Sequence, residues 1–278
     1  MGDSNQTAEP NKPASDILER TLKTFRSVLD FGLRVSLKLN GRSTTVPGEM
    51  ASIVHTKMCV NAASAGYLCE VPLFDHSAIM TVCRMCVDGM TLYFYLNESV
   101  SADEWECREL VLRIHDTTSR IRLMRATQDK TQYQDLLDGR KSLKADLEKN
   151  SCFKSLAPEI QTRLLSGREI FVGGMHAAAV RAVGWREEQF QALYNYLSQH
   201  VHSAPMAFLR VRKHNVSFSD PSDAQRNMVA LALNIAEYSV LRVSMHCLAV
   251  DSEMKNQFDQ TELTEFQKEL DGSTILNG

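Results

Sequence analysis

No proline falls between Leu73 and Ala157, and the whole chain carries only 13 glycines and seven prolines. Average usage would place about 19 and 14 in a chain of 278 residues. Proline ends helices by removing an amide donor, and glycine supplies the left-handed backbone that tight turns require. A chain poor in both makes few turns, which argues against sandwiches, propellers and other folds of many short strands. Long helices remain. The expected fold is therefore all-α, a multi-helix bundle, with one short β-ribbon or an ordered loop near 206–219.

Periodicity places the helices. Ile17, Leu18, Leu22, Phe25, Val28, Leu29, Phe31, Leu33 and Val35 recur at helical spacing over 15–39. A second helix is expected over 49–68. A third, 76–96, is apolar nearly all round and capped by Asp75. Ser101-Ala102-Asp103-Glu104 reads as a capping box that starts a fourth, reaching about Ala126. A polar helix over 131–148, a short one from Pro158, one over 187–202 and a long apolar one to Val250 complete a bundle domain of residues 15–250. Residues 1–14 read as a polar tail. Residues 251–278 read as an acidic tail in which Leu263, Phe266 and Leu270 allow one short helix.

Charge and cysteine usage narrow the function classes. Lys and Arg number 31 against 34 Asp and Glu, a net charge of −3. That balance is far from the strongly basic signature of a dedicated nucleic-acid-binding domain. Seven cysteines, an odd number without an apolar signal before them, predict reduced thiols and a cytoplasmic location. Cys83 and Cys86 form an isolated C-x-x-C that reads as buried small residues. Met228 to Val250 contains Asn234, Glu237, Arg242 and His246 and reads as a core helix, with no membrane span. No phosphate-binding glycine loop, serine elbow or zinc motif is present, so no cofactor and no metal site is expected.

Three polar groupings remain. Tyr194, Ser198 and His202 stand at i, i+4 and i+8 and share one stripe of a helix. A phenol, a hydroxyl and an imidazole so aligned can bind phosphate or share a proton; equally, they can hydrogen-bond neighbouring helices and fix their register. Arg108 and His115 lie on nearly one face, roughly 10 Å apart along the axis. They suit a phosphate clamp with a proton shuttle, or a solvated face with Glu104–Arg108 and Asp116–Arg120 pairs. Arg84 and Asp88 stand at i, i+4 in an apolar helix, where ions need partners. Arg242 and His246 repeat that spacing. Arg210, Arg212, Lys213 and His214 form a further basic cluster in the expected ribbon.

These residues also carry a resemblance. The segment from Asp75 through Arg84 and Asp88 to Tyr95, that from Ser101 through Arg108 to His115, and Gly184-Trp185 followed by Tyr194, Ser198, His202 and Pro205 together resemble a family of uncharacterised bacterial all-helical proteins. More remotely, that family is similar to the HEPN superfamily. Many HEPN domains are metal-independent ribonucleases of toxin–antitoxin and phage-defence systems, marked by Arg, four to six residues, then His, often assembled across a dimer. Arg108 and His115 fit the loosest spacing, whereas His202 has Leu197, Tyr196 and Asn195 where that Arg would stand. The resemblance implies a protein acting on RNA or nucleotides. His202 or His115 would be the general acid/base, and Arg108 and Arg84 would stabilise phosphate charge. Tyr194, Ser198 and Asp88 would orient the cluster, and the RNA 2′-OH would be the nucleophile. The alternative is a non-catalytic interaction module, a homodimer or antitoxin-like partner binder, whose polar cluster is structural.

Overall fold

The computed structural model describes residues 14–43, 45–128, 132–201 and 216–273. Among them are twelve α-helices, one π-helical turn and no strand. Residues 216–219 of the expected ribbon are irregular; its remainder, 206–215, lies outside the described residues. The helices are α1 (Ala14–Leu39), α2 (Val46–Leu68), α3 (His76–Asn97), α4 (Ala102–Thr127), α5 (Tyr133–Lys149), α6 (Ser151–Ser155), α7 (Pro158–Leu165), α8 (Met175–Ala178), α9 (Glu187–Val201), α10 (Asp223–Val250), α11 (Ser252–Lys255) and α12 (Gln260–Gly272), with the π-helical turn Ala179–Val183 after α8. The all-helical expectation holds. The chain divides into two compact units, one of 1–96 with 188–278 and one of 97–187.

In the first unit α1 turns Leu18, Phe25, Val28, Phe31 and Val35 inward, the stripe its periodicity predicts. At Gly32 an added Cβ would stand 2.7 Å from Val240 and 3.2 Å from Cys59 Sγ. The missing side chain is what lets α1, α2 and α10 meet. One buried bond sets the register of α2 on α10. The Ser244 hydroxyl donates to Val240 O (2.8 Å), so its oxygen accepts from His55 Nε2–H (2.9 Å). Burial pushes the His55 imidazole down to about 4, so this ring is neutral. Asp75 caps α3 by accepting from Ser77 N and Ala78 N (3.0 and 3.1 Å). Cys83 and Cys86 face the core of α3 with no exposed surface, and burial raises both thiols well above their ordinary value. By length and composition α3 and α10 could each cross a bilayer, yet 56% and 72% of their apolar windows are buried within the protein.

The acidic C-terminal segment is packed. α12 lays Phe266 against Phe31 (ring centroids 4.5 Å), and Phe258 meets the same ring at 5.7 Å. Arg34 of α1 pairs with Glu262, and Arg42 pairs with Asp251 (2.8 Å). On the same side the buried Glu237 of α10 accepts from Thr24 (3.0 Å) and shares a hydrogen bond with Glu269. Burial, and then Glu269 beside it, push the Glu237 carboxyl up to about 8.

The second unit grows from α4, whose Cys107, Val111 and Ile114 pack on Leu147 of α5, Phe153 of α6 and Leu164 of α7. Ser101 caps α4 by accepting from Glu104 N (3.1 Å). The second half of the expected capping box is missing from this helix start, because the Glu104 side chain turns to Arg108 instead. The complete box is at α10, between Ser222 and Gln225.

The buried carboxyl makes a signed prediction. Its folded pKa of about 8 lies above its ordinary value of 4.5, so its stabilising contribution is whole at low pH and is lost as pH rises from about 4.5 through 8. Thermal melts of wild type and Glu237→Gln should therefore diverge with pH. Wild type should lose on the order of 4 kcal/mol relative to the variant between pH 5 and about pH 9. Parallel pH profiles would contradict the assignment.

Candidate functional site

The sequence groupings fall into separate clusters. Arg84, Asp88 and Tyr194 come together in the first unit. The Arg84 guanidinium donates to the Tyr194 hydroxyl, lies 4.5 Å over its ring, and sits 3.7 Å from Asp88 Oδ2. Tyr194 itself stacks on Phe190 with centroids 5.1 Å apart. Burial raises the Asp88 carboxyl, and Arg84 and then Tyr194 oppose that shift; burial and then the Asp88 charge also raise the Tyr194 phenol. Arg84 Nε and Asp88 Oδ1 are buried without a hydrogen-bond partner. Ser198, the next member of the predicted stripe, returns its hydroxyl to Tyr194 O (2.6 Å) and so serves its own helix. His202 lies outside the described residues, as do Arg210, Arg212, Lys213 and His214.

Arg108 and His115 belong to the second unit. Arg108 has no exposed surface. Its Nη2 donates to Glu98 Oε2 (2.8 Å) and to Glu104 Oε1 (2.5 Å), and its Nε to Glu104 Oε1 (3.2 Å). Arg181 closes the same network on Glu98 (2.9 Å) and Glu104 (3.0 Å). Partial burial pushes the Glu104 carboxyl up, but Arg108 and then Arg181 outweigh it and hold it below its ordinary value. Two arginines thus meet two carboxylates, and the Arg108 fork is occupied by anions of its own chain. Both turn pairs anticipated from spacing are present, Glu104–Arg108 within this network and Asp116–Arg120 at 4.0 Å, and Arg113 pairs with Glu109 at 2.6 Å. His115 is half-buried with Nδ1 unpartnered.

One cluster escaped the sequence reading. At the N-terminus of α3 the Ser77 hydroxyl lies 3.1 Å from His200 Nδ1 and 3.5 Å from His76 Nε2. Gln225 fixes the direction of this chain. Its Oε1 accepts from Ser217 N and Ser222 N (both 3.0 Å), so its Nε2 is the group that donates to Ser217 O (2.9 Å) and to His76 Nδ1 (3.4 Å). His76 then carries its proton on Nε2 and donates to Ser77, Ser77 donates to His200 Nδ1, and His200 carries its proton on Nε2. That last donor is buried and unpartnered. Burial and then His76 push the His200 imidazole down to about 4, against a smaller opposing effect of Asp75. Burial also lowers His76, so both rings are neutral near pH 7. The signal available in the sequence was weak: Tyr196 and His200 at i, i+4 beside the more conspicuous Tyr194, Ser198 and His202.

Arg242 and His246 resolve into aromatic contacts. Arg242 lies 5.4 Å over Phe94 and 5.7 Å over Tyr238, and His246 Nδ1 is 3.0 Å from the Tyr93 hydroxyl. Among the described residues no group of three His, Cys, Asp or Glu side chains could hold a metal ion. Comparison of the chain with family models, curated proteins and solved structures finds no match.

The direction of the Ser77 chain is open to measurement. The His200 ring should stay neutral, with flat imidazole NMR shifts between about pH 5.5 and 8. A titration midpoint near the ordinary value of about 6.5 would contradict the buried neutral tautomer.

Proposed function

We propose that this protein is a helical interaction module whose polar clusters hold its helices in register, and that its work is done by an outer helix face. The observation that carries this reading is the state of Arg108. Phosphodiester cleavage needs a cation free to meet the developing phosphate charge. A guanidinium with no exposed surface, held by Glu98 and Glu104, is already matched. Arg84 is likewise turned to Tyr194 and Asp88. The interaction reading is supported further by the open groove between α1 and α2, lined by Leu37, Ile53 and Val60.

A second reading, an RNA-binding or ribonuclease role of HEPN type, has one observation in its favour. Arg84 Nε is an unused donor beside an aromatic ring, a combination that suits a phosphate next to a stacked base.

Incubation of the purified full chain with labelled RNA separates the two. The interaction reading predicts no cleavage above a buffer control, and no salt-dependent retention of RNA that Arg84→Ala abolishes. Cleavage that disappears in His115→Ala or His202→Ala, or retention that disappears in Arg84→Ala with the fold intact by circular dichroism, would overturn it.

A further inference from the structure

Four apolar side chains of α2 face outward in a line. Val46, Ile53, Val60 and Tyr67 expose 47%, 69%, 47% and 67% of their surface. They are seven residues apart, so each lies about 20° from the next around the helix axis. Single exposed apolar residues are ordinary, whereas a heptad-spaced row is the seam of a helix pair. On the neighbouring α1, Leu37 is 77% exposed and borders the same groove.

The charges beside the row say what fits it. Glu49 and Lys57 are both exposed and stand four residues before and after Ile53, about 40° to either side of it. The ion pairs found among the described residues involve neither of them. Consider a second α2 laid antiparallel across a two-fold axis at Ile53. Residues equally far from Ile53 on its two sides then come level. Ile53 meets Ile53 of the second copy, Val46 meets Val60, and Glu49 comes level with Lys57 twice. A parallel pair would instead set Glu49 against Glu49 and Lys57 against Lys57. The row and its charges are therefore self-complementary in one orientation, which is what an isologous dimer interface requires.

We propose that α2 is a self-association seam on which two copies of this chain pair antiparallel about Ile53. The inference rests on the interaction-module reading and names its partner. It is tested by mass rather than by RNA, so the two fail separately.

Light scattering and sedimentation of the full chain across a dilution series read the outcome. Wild type should reach twice the 31.3 kDa of one chain at high concentration. Ile53→Asp should stay at the single-chain mass with unchanged helical circular dichroism. Glu49→Lys and Lys57→Glu, both at exposed positions that leave the core untouched, should each raise the dissociation midpoint at least about tenfold. Mixing those two variants should restore the double mass. One of them then carries only basic side chains at the two positions and the other only acidic ones, so each face meets its opposite. The double variant E49K/K57E should restore the double mass alone. A wild type that keeps the single-chain mass throughout would overturn the proposal. So would a dimer indifferent to Ile53→Asp and to both charge reversals, or reversed variants that fail to rescue each other.

Discussion

A charge or hydrogen-bonding group placed inside a helical bundle has lost its water, and leaving it unmatched by a neighbouring polar group costs free energy. That constraint organises this protein. Arg108 enters the core side of α4 only because Glu98 and Glu104 meet it, with Arg181 completing the network. Arg84 of α3 is met by Tyr194 and Asp88, and His55 of α2 by Ser244 of α10. Glu237 stays protonated up to about pH 8 between Thr24 and Glu269. Each match joins particular residues of particular helices. Together they select one register where apolar packing alone would tolerate several.

The same constraint decides how the polar stripes of the sequence are read. Arg-x-x-x-Asp in α3 and the Arg and His of α4 have the residue types of a phosphate site. Their chemistry depends on whether the guanidinium is free or matched: the matching carboxylates Glu104 and Asp88 stand one turn away in the sequence, but the groups that complete each cluster come from far along the chain. Tyr194 is 110 residues from Arg84. Arg181 is 83 from Glu98. The i, i+4 pattern offers the Glu104–Arg108 pair as one alternative, but no local pattern brings in Tyr194 or Arg181.

Much of the fold was legible. The apolar period of 15–39, Asp75 and Ser101 as caps, and Pro158 at a first turn locate α1, α3, α4 and α7 to within a residue or two. These signals are local, so a sequence displays them. The short α6, α8 and α11 were not anticipated, since a turn of helix is too brief to show a period. The docking of α12 depended on Phe266 finding Phe31 and Glu262 finding Arg34, contacts with the opposite end of the chain. Most telling is α2. Ala51, Met58, Cys59 and Ala62 are buried while Val46, Ile53, Val60 and Tyr67 are exposed. With apolar residues on both sides, periodicity averages out and hides the outer row. Only the folded chain separates the face that packs inward from the face left for a partner.

Buried polar residues here act as matched pairs that hold the fold, and a double-mutant cycle between Arg108 and Glu98 measures that directly. The cycle uses Arg108→Met, Glu98→Gln and both together in denaturant unfolding. Matched buried charges predict a destabilising Arg108→Met of about 3 kcal/mol and a coupling energy of at least about 1 kcal/mol. An Arg108→Met variant within about 0.5 kcal/mol of wild type, with coupling near zero, would contradict it.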